Sequence, residues 1–251
     1  MSSRRRRVRI DLAYDGTDYC GWQVQRSQRT VQGVLERALS KLHGGTPVGV
    51  RGAGRTDSGV HAHGQVADCE VSVQLDDAGL AYALRRLLPP DIRPLEVRTV
   101  SRSFHSRKDA RSKLYRYRID RTPHGDPFAS RFALHHPAVL DEGLMQEGLR
   151  LLPGRHDWSG FTTPRSDKED PVRVLTSATL ERRGGEIVLA FEANGFLRYM
   201  VRNLVGTIVE IGKGRMPVER IREVLDSGDQ DLAGPTALPK GLHLIRVDYP
   251  Q

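Results

Sequence analysis

The sequence predicts an α+β protein made of two ferredoxin-like βαββαβ (RRM-like) halves, and three observations carry that reading. At 251 residues the chain is long enough for one large domain or two modest ones, each with a real core. Apolar residues recur with period two in short runs and with helical period in longer ones, with turn residues between them. The order strand, helix, strand, strand, helix, strand then occurs twice, which is the split βαβ arrangement.

In the first half, Val8, Ile10, Leu12 and Tyr14 alternate as in a half-buried strand. Val31, Val34, Leu35, Ala38, Leu39 and Leu42 form one helical stripe, with Thr30 as N-cap and Gly44 just past the end. Val48 to Gly52 and Gln65 to Val73 read as strands on either side of a polar loop. A second helix spans Asp76 to Leu88, with Leu80, Leu84, Leu87 and Leu88 on one face and Pro89-Pro90 to stop it. Ile92 to Val100 closes the unit as a fourth strand.

The second half repeats the order. Lys113 to Asp120 is a strand, Asp141 to Leu152 a helix, and Val172 to Arg182 with Ile187 to Ala193 a hairpin around Gly184-Gly185. Leu197 to Ile211 is a helix with Gly212 behind it, a short helix opens at Pro217, and Leu242 to Tyr249 is the last strand. The halves share no residue-level similarity, so the duplication rests on element order. The expected division is 1–103 and 104–251, with the junction near Ser101 to Phe104. Two such sheets would join into one mostly antiparallel sheet with helices on one face and a cleft between the halves.

Composition narrows the function classes. The two cysteines, Cys20 and Cys69, lie far apart with no second pair, which points to reduced thiols rather than a disulfide framework or a zinc site. Arg4 to Arg7 are followed by no apolar stretch of signal-peptide kind, and no apolar run reaches membrane-spanning length, so a soluble cytoplasmic protein is expected. Lysine and arginine total 39 against 31 acidic residues, a net charge of +8 that points to a polyanion. Arginines cluster at Arg4 to Arg9, Arg85-Arg86, Arg107 to Arg118 and Arg198 to Arg202. Interleaved with Phe104, Tyr115, Tyr117 and Tyr199, they read as a phosphate-tracking surface with stacking platforms, as looped RNA requires.

The run Gly54-Arg55-Thr56-Asp57-Ser58-Gly59-Val60-His61 places one carboxylate on a glycine-bounded loop between two strands. Two readings stand side by side: a nucleophile on a loop held by a scaffold, or an Asx-type turn in which Asp57 caps its own backbone. A dinucleotide-binding fingerprint is excluded, because its third glycine would fall at Asp57 and a strand follows instead of a helix. His61, His63, His135 and His136 have no carboxylate or cysteine at ligand spacing and read as structural or phosphate-facing, with no metal.

The Gly54 to His61 segment resembles the catalytic signature of the tRNA pseudouridine synthase A family. Three further segments match in the family's order: Gly21-Trp22-Gln23; Phe104-His105-Ser106-Arg107 running into Tyr115-Arg116-Tyr117; and Met200 to Gly206. The resemblance spans Val8 to Tyr249. Ser58 stands where alanine is common, and Lys108-Asp109-Ala110 replaces the family's frequent Phe-Ser-Ala, which bears on the local RNA contact and not on the chemistry.

The resemblance implies isomerisation of uridine at positions 38, 39 and 40 of the tRNA anticodon stem-loop, without cofactor or metal and commonly by a homodimer. Asp57, Tyr115 and Arg202 would be catalytic. Asp57 would attack ribose C1′ or base C6, or remove a ribose proton; Tyr115 would stack on the target base and accept the C5 proton. Arg202, inside an apolar helix stripe, would hold Asp57 anionic once RNA covers the site, against its snorkelling alternative. Arg55 would brace the place vacated by the flipped uridine, and Phe104, His105, Arg107 and Lys108 would contact RNA. The rival readings are a pseudouridine synthase acting on another RNA and a non-catalytic RNA-binding module.

Overall fold

The computed structural model describes residues 5–163 and 170–250; Arg4 of the first arginine cluster lies outside them. The fold divides into two compact units, Met1–Arg111 with Leu244–Gln251, and Ser112–His243.

The first unit contains β1 (Arg6–Tyr14), α1 (Val31–Leu42), β2 (Val50–Gly52), β3 (His61–Val71), α2 (Asp77–Leu87) and β4 (Ile92–Val100). Its sheet runs β4-β1-β3 with β2 on the far edge of β3, which is the ferredoxin-like order. All three pairings are antiparallel, with Ile10 opposite Ala67 on one side and Val97 on the other. The alternation of β1 is borne out: Val8, Ile10 and Leu12 are wholly buried. So is the stripe of α1, capped by the Thr30 side chain on the Gly33 N–H. Leu35, Leu39, Leu80 and Leu84 are fully buried, each worth about 1.5–3 kcal/mol of burial. Between Leu12 and Tyr14 the β1–β3 register shifts, with one more residue on β3 than on β1. That bulge sits where the signature loop enters β3.

The second unit contains β5 (Ser112–Asp120), β6 (Leu134–His135), α3 (Glu142–Arg150), β7 (Gly154–Asp157), β8 (Val172–Arg183), β9 (Glu186–Ala193), α4 (Met200–Gly212) and α5 (Arg220–Ser227). Its sheet runs β5-β9-β8-β7, antiparallel throughout, and β6 adds a short parallel pairing to β5. The strands β6 and β7 have no signal in the sequence, because two to four residues carry too little periodicity. Helix α4 starts at Met200 and not at Leu197, because Tyr199 takes a left-handed backbone, φ +60, as its N-cap.

The last strand, β10 (Leu242–Asp248), borders β3, and from Leu244 onward it clusters with the first unit. The junction expected at 103/104 therefore falls at 111/112, and Phe104 to Lys108 belong with the first unit. Polar ties explain both shifts. Ser106 donates its N–H to Asp68 and its Oγ–H to the Arg51 carbonyl, while Tyr249 Oη donates to the Ser106 carbonyl at 2.6 Å. The absent side chain of Gly64 lets Ile245 approach, for a Cβ there would meet its carbonyl oxygen at 2.5 Å.

Candidate active site

The signature loop between β2 and β3 is pinned from several sides. Thr56 is buried, its Oγ1 2.9 Å from Tyr14 Oη, and its carbonyl accepts the Trp22 N–H. Gln65 donates to the Gly54 carbonyl, and the Tyr19 carbonyl accepts from Ser58 Oγ and the Gly59 N–H. Two glycines permit this closeness. A Cβ on Gly21 would lie 2.5 Å from the Thr56 carbonyl oxygen, and one on Gly16 would lie 1.9 Å from that of Val60. Asp57 is half-buried at the head of a turn closed by its own carbonyl and the Val60 N–H, with Gly59 at φ +78. The backbone supplies this closing bond, and the result is a loop whose carboxylate-bearing residue has little room to move.

Burial pushes the Tyr14 hydroxyl up to about 12, against the opposing hydrogen bonds to Thr56 and Gln65. It therefore acts on Thr56 as a neutral phenol. His61 is structural: buried, its Nδ1 accepts the Gly16 N–H at 3.1 Å. Arg55 is exposed, and its Nε donates to Gln23 Oε1 at 3.2 Å. Gln23 is itself held, since its Nε2 donates to Gln32 Oε1, and Gln32 donates to Glu36 and to the Val50 carbonyl. Gln23, part of the Gly21-Trp22-Gln23 segment, thereby orients Arg55.

The segment from Phe104 to Lys108 hangs on a buried carboxylate. Asp68 is wholly buried, with Arg7 Nη1 at 2.9 Å and Arg51 Nη2 at 2.6 Å on one oxygen and the Ser106 N–H at 2.9 Å on the other. Phe104 is half-buried against Tyr249, ring centroids 5.3 Å apart. His105 Nδ1 accepts the Arg107 and Lys108 N–H groups, while Asp109 accepts the His105 N–H at 2.8 Å. The unusual Asp109 thus closes its own turn, and Arg107 and Lys108 project from it exposed.

Tyr115 and Arg202 belong to the second unit. Tyr115 pairs with Phe191 across β5–β9 and is 6% exposed, its ring edge-on to Phe196 at 5.1 Å. Tyr117, on the same strand face, is core, and donates its hydroxyl to the Leu238 carbonyl. Burial raises the Tyr117 hydroxyl well above its ordinary value, and the nearby Arg202 charge opposes that shift. Arg202 therefore lies electrostatically close to the strand that carries Tyr115.

The half-buried Arg202 donates Nε to the Ala237 carbonyl at 2.7 Å and receives the Ala237 N–H on its own carbonyl at 3.1 Å. Its guanidinium carbon is 4.9 Å from the Tyr199 ring centroid. The remainder of the Met200 to Gly206 motif brings residues 234–237 onto α4. Asn203 donates to the Phe161 carbonyl and accepts from Thr236 Oγ1, and Gly206 leaves room for the Pro235 carbonyl.

Part of the arginine-rich surface expected to track phosphates is taken up by ion pairs within the protein. Arg6, Arg7, Arg9 and Arg118 are committed to carboxylates of Asp77, Asp68 with Glu70, Asp11 and Glu186. Arg7 and Arg118 meet their carboxylates across the sheet, Arg6 meets Asp77 on α2, and Arg9 meets Asp11 two residues along its own strand. Among the described residues no group of three or more His, Cys, Asp or Glu could hold a metal ion. Likewise, among them no helix is long and apolar enough to cross a membrane.

Comparison with known proteins places these features in one lineage. The family model described as tRNA pseudouridine synthase matches residues 12–107 and 149–250. The tRNA pseudouridine synthase A of Streptococcus thermophilus is 41% identical over 245 residues, covering 97% of this chain and 99% of that protein. Its counterpart from Streptococcus pneumoniae is also 41% identical over 245 residues, covering 97% and 98%. With the family model matched over most of its length and relatives 41% identical along nearly the whole chain, the chain belongs to the tRNA pseudouridine synthase family.

Proposed function

We propose that this chain isomerises uridines at positions 38, 39 and 40 of the tRNA anticodon stem-loop to pseudouridine, with Asp57 as its essential carboxylate. The observation that carries the reading is the locked loop. The reaction breaks the C1′–N1 bond, forms C1′–C5, moves a proton onto N1 and releases the C5 proton, so no oxidant or cofactor is required. Each route open to Asp57, attack at C1′, attack at C6 or removal of a ribose proton, needs its anion in a fixed place. The hydrogen bonds around Thr56, Ser58 and Gly59 supply that fixity.

Tyr115 of the second unit stacks on the target base and takes the C5 proton, and Arg202 balances the Asp57 charge. Arg55, steadied by Gln23, braces the stack after the uridine leaves it, at an unstacking cost of a few kcal/mol. Phe104, His105, Arg107 and Lys108 meet the RNA near the target. The enzyme works in the cytoplasm, and the family resemblance favours a homodimer.

The test is to incubate unmodified tRNA transcripts with the protein and map pseudouridine by carbodiimide block of reverse transcription. Wild type is expected to modify positions 38 to 40, and Asp57→Asn to modify none while binding tRNA and melting as the wild type does. Turnover by the asparagine variant would remove Asp57 from its role. Binding without modification by the wild type would favour an RNA-binding module.

A further inference from the structure

Tyr199 is a bulky residue in a conformation that bulky residues avoid. Its φ is +60 and its ψ −3 at the N-cap of α4, where it makes no side-chain capping bond. Among the described residues the other non-glycine with positive φ is Ser27, on an exposed turn. Glycine or asparagine would take this conformation with less strain. Such outliers persist where the surroundings over-determine them, and they gather at functional sites.

The ring's surroundings show what the strain accompanies. The guanidinium carbons of Arg198 and Arg202 each lie 4.9 Å from its centroid, and Arg198 Nη2 also reaches the Tyr199 hydroxyl at 3.3 Å. The turn is held from both ends, since Thr162 Oγ1 donates to the Arg198 carbonyl and the Asn203 N–H donates to that of Tyr199. Arg202 is thus held against the aromatic ring as well as by the Ala237 carbonyl on its Nε.

We propose that Tyr199 is a positioning residue for the reaction: its left-handed turn sets the ring against Arg202 and holds that guanidinium in the orientation the chemistry uses. The proposal rests on the reading that Arg202 serves the reaction. A capping or structural role would be filled as well by glycine or asparagine, and neither offers a surface for a guanidinium.

Single-turnover release of tritium from uracil C5 of tRNA, alongside tRNA affinity and thermal melting, tests it. Tyr199→Gly removes the ring and relieves the backbone, so melting is expected at or above the wild-type temperature. The single-turnover rate should fall about 10- to 100-fold, since small misplacements carry such penalties, with tRNA affinity changed less than about threefold. Tyr199→Phe, which keeps the ring, should restore most of the rate. In an Arg202→Gln background, Tyr199→Gly should cause no further loss, because the group it positions is gone. A wild-type rate for Tyr199→Gly, or a further loss in that background, overturns the proposal while leaving Arg202 in place. A wild-type rate for Arg202→Gln removes Arg202 from the reaction and the proposal with it.

Discussion

Gly206→Ala is expected to damage both stability and activity, although alanine is the better helix former. Gly206 lies inside α4, where alanine gains about 1 kcal/mol over glycine. Against this, a Cβ would stand 1.7 Å from the Pro235 carbonyl oxygen, roughly 1.3 Å short of the 3.0 Å that real Cβ atoms keep. The obstacle is backbone, so no side chain can rotate away. Overpacking of this kind costs about 1–3 kcal/mol, and a backbone contact belongs at the upper end. The net loss is then about 2 kcal/mol, or roughly 4–8 °C in Tm for a domain of this size. Residues 234–237 must yield, and with them the Ala237 carbonyl that holds Arg202, so the single-turnover rate should drop about tenfold or more. Differential scanning fluorimetry and tritium release measure the two effects. Gly49→Ala, where an added Cβ meets nothing within 4 Å, is the control and should shift stability by less than about 0.5 kcal/mol. If Gly206→Ala melts at or above the wild-type temperature at full activity, the close approach of Pro235 is not what this glycine serves.

Asp68→Asn should leave Arg7 and Arg51 facing a neutral amide; removing one partner of a buried ion pair costs about 3–5 kcal/mol, and the 44% exposure of the Arg51 side chain favours the lower figure. Denaturant melts would read that loss, together with faster proteolysis at Arg107 and Lys108, and unchanged stability would contradict the role given to Asp68. Tyr115→Phe should keep tRNA affinity within a few fold yet slow tritium release, whereas Tyr115→Ala should lose binding by about 5- to 150-fold relative to phenylalanine, the worth of one stacked base. Wild-type tritium release by the phenylalanine variant would leave Tyr115 as a platform only. At alkaline pH the buried phenols dominate. Tyr14, pushed to about 12, together with the raised Tyr19, Tyr117 and Tyr249, keeps its proton in the folded protein to higher pH than in the unfolded chain, where the ordinary value is 10.0. The folded state then binds more protons, so stability is full below that value and falls as pH rises past it. The tyrosinate absorbance of these four should therefore appear together with unfolding, after that of exposed Tyr82, and their gradual titration with the fold intact would refute the burial argument.

Local patterning made most of the first unit legible. The alternation in β1, the stripe and cap of α1 and the proline stop after α2 are short-range features, governed by neighbours a few residues away. The identity of the loop from Gly54 to His61 was legible for the same reason, because its residues are contiguous. What the chain could not disclose by itself was anything set by residues distant in sequence. Ser106 joins the first unit because it bonds to Asp68, 38 positions earlier, and Tyr249 because it reaches back to the Ser106 carbonyl. The arginines of β1 read from sequence as available to phosphate, but β3 sets Asp68 and Glu70, and α2 sets Asp77, beside them. Tyr199 reads from sequence as a stacking aromatic inside the expected helix, since a left-handed φ in a tyrosine has no propensity signal and is imposed by the packing on either side. Periodicity and turn residues determined most of the elements, and a contiguous motif picked out the loop from Gly54 to His61 through its resemblance to a family signature. Only the tertiary structure decided which side chains hold that loop still, because hydrogen bonds and ion pairs form between whatever atoms the fold brings within about 3 Å, whatever their separation along the chain.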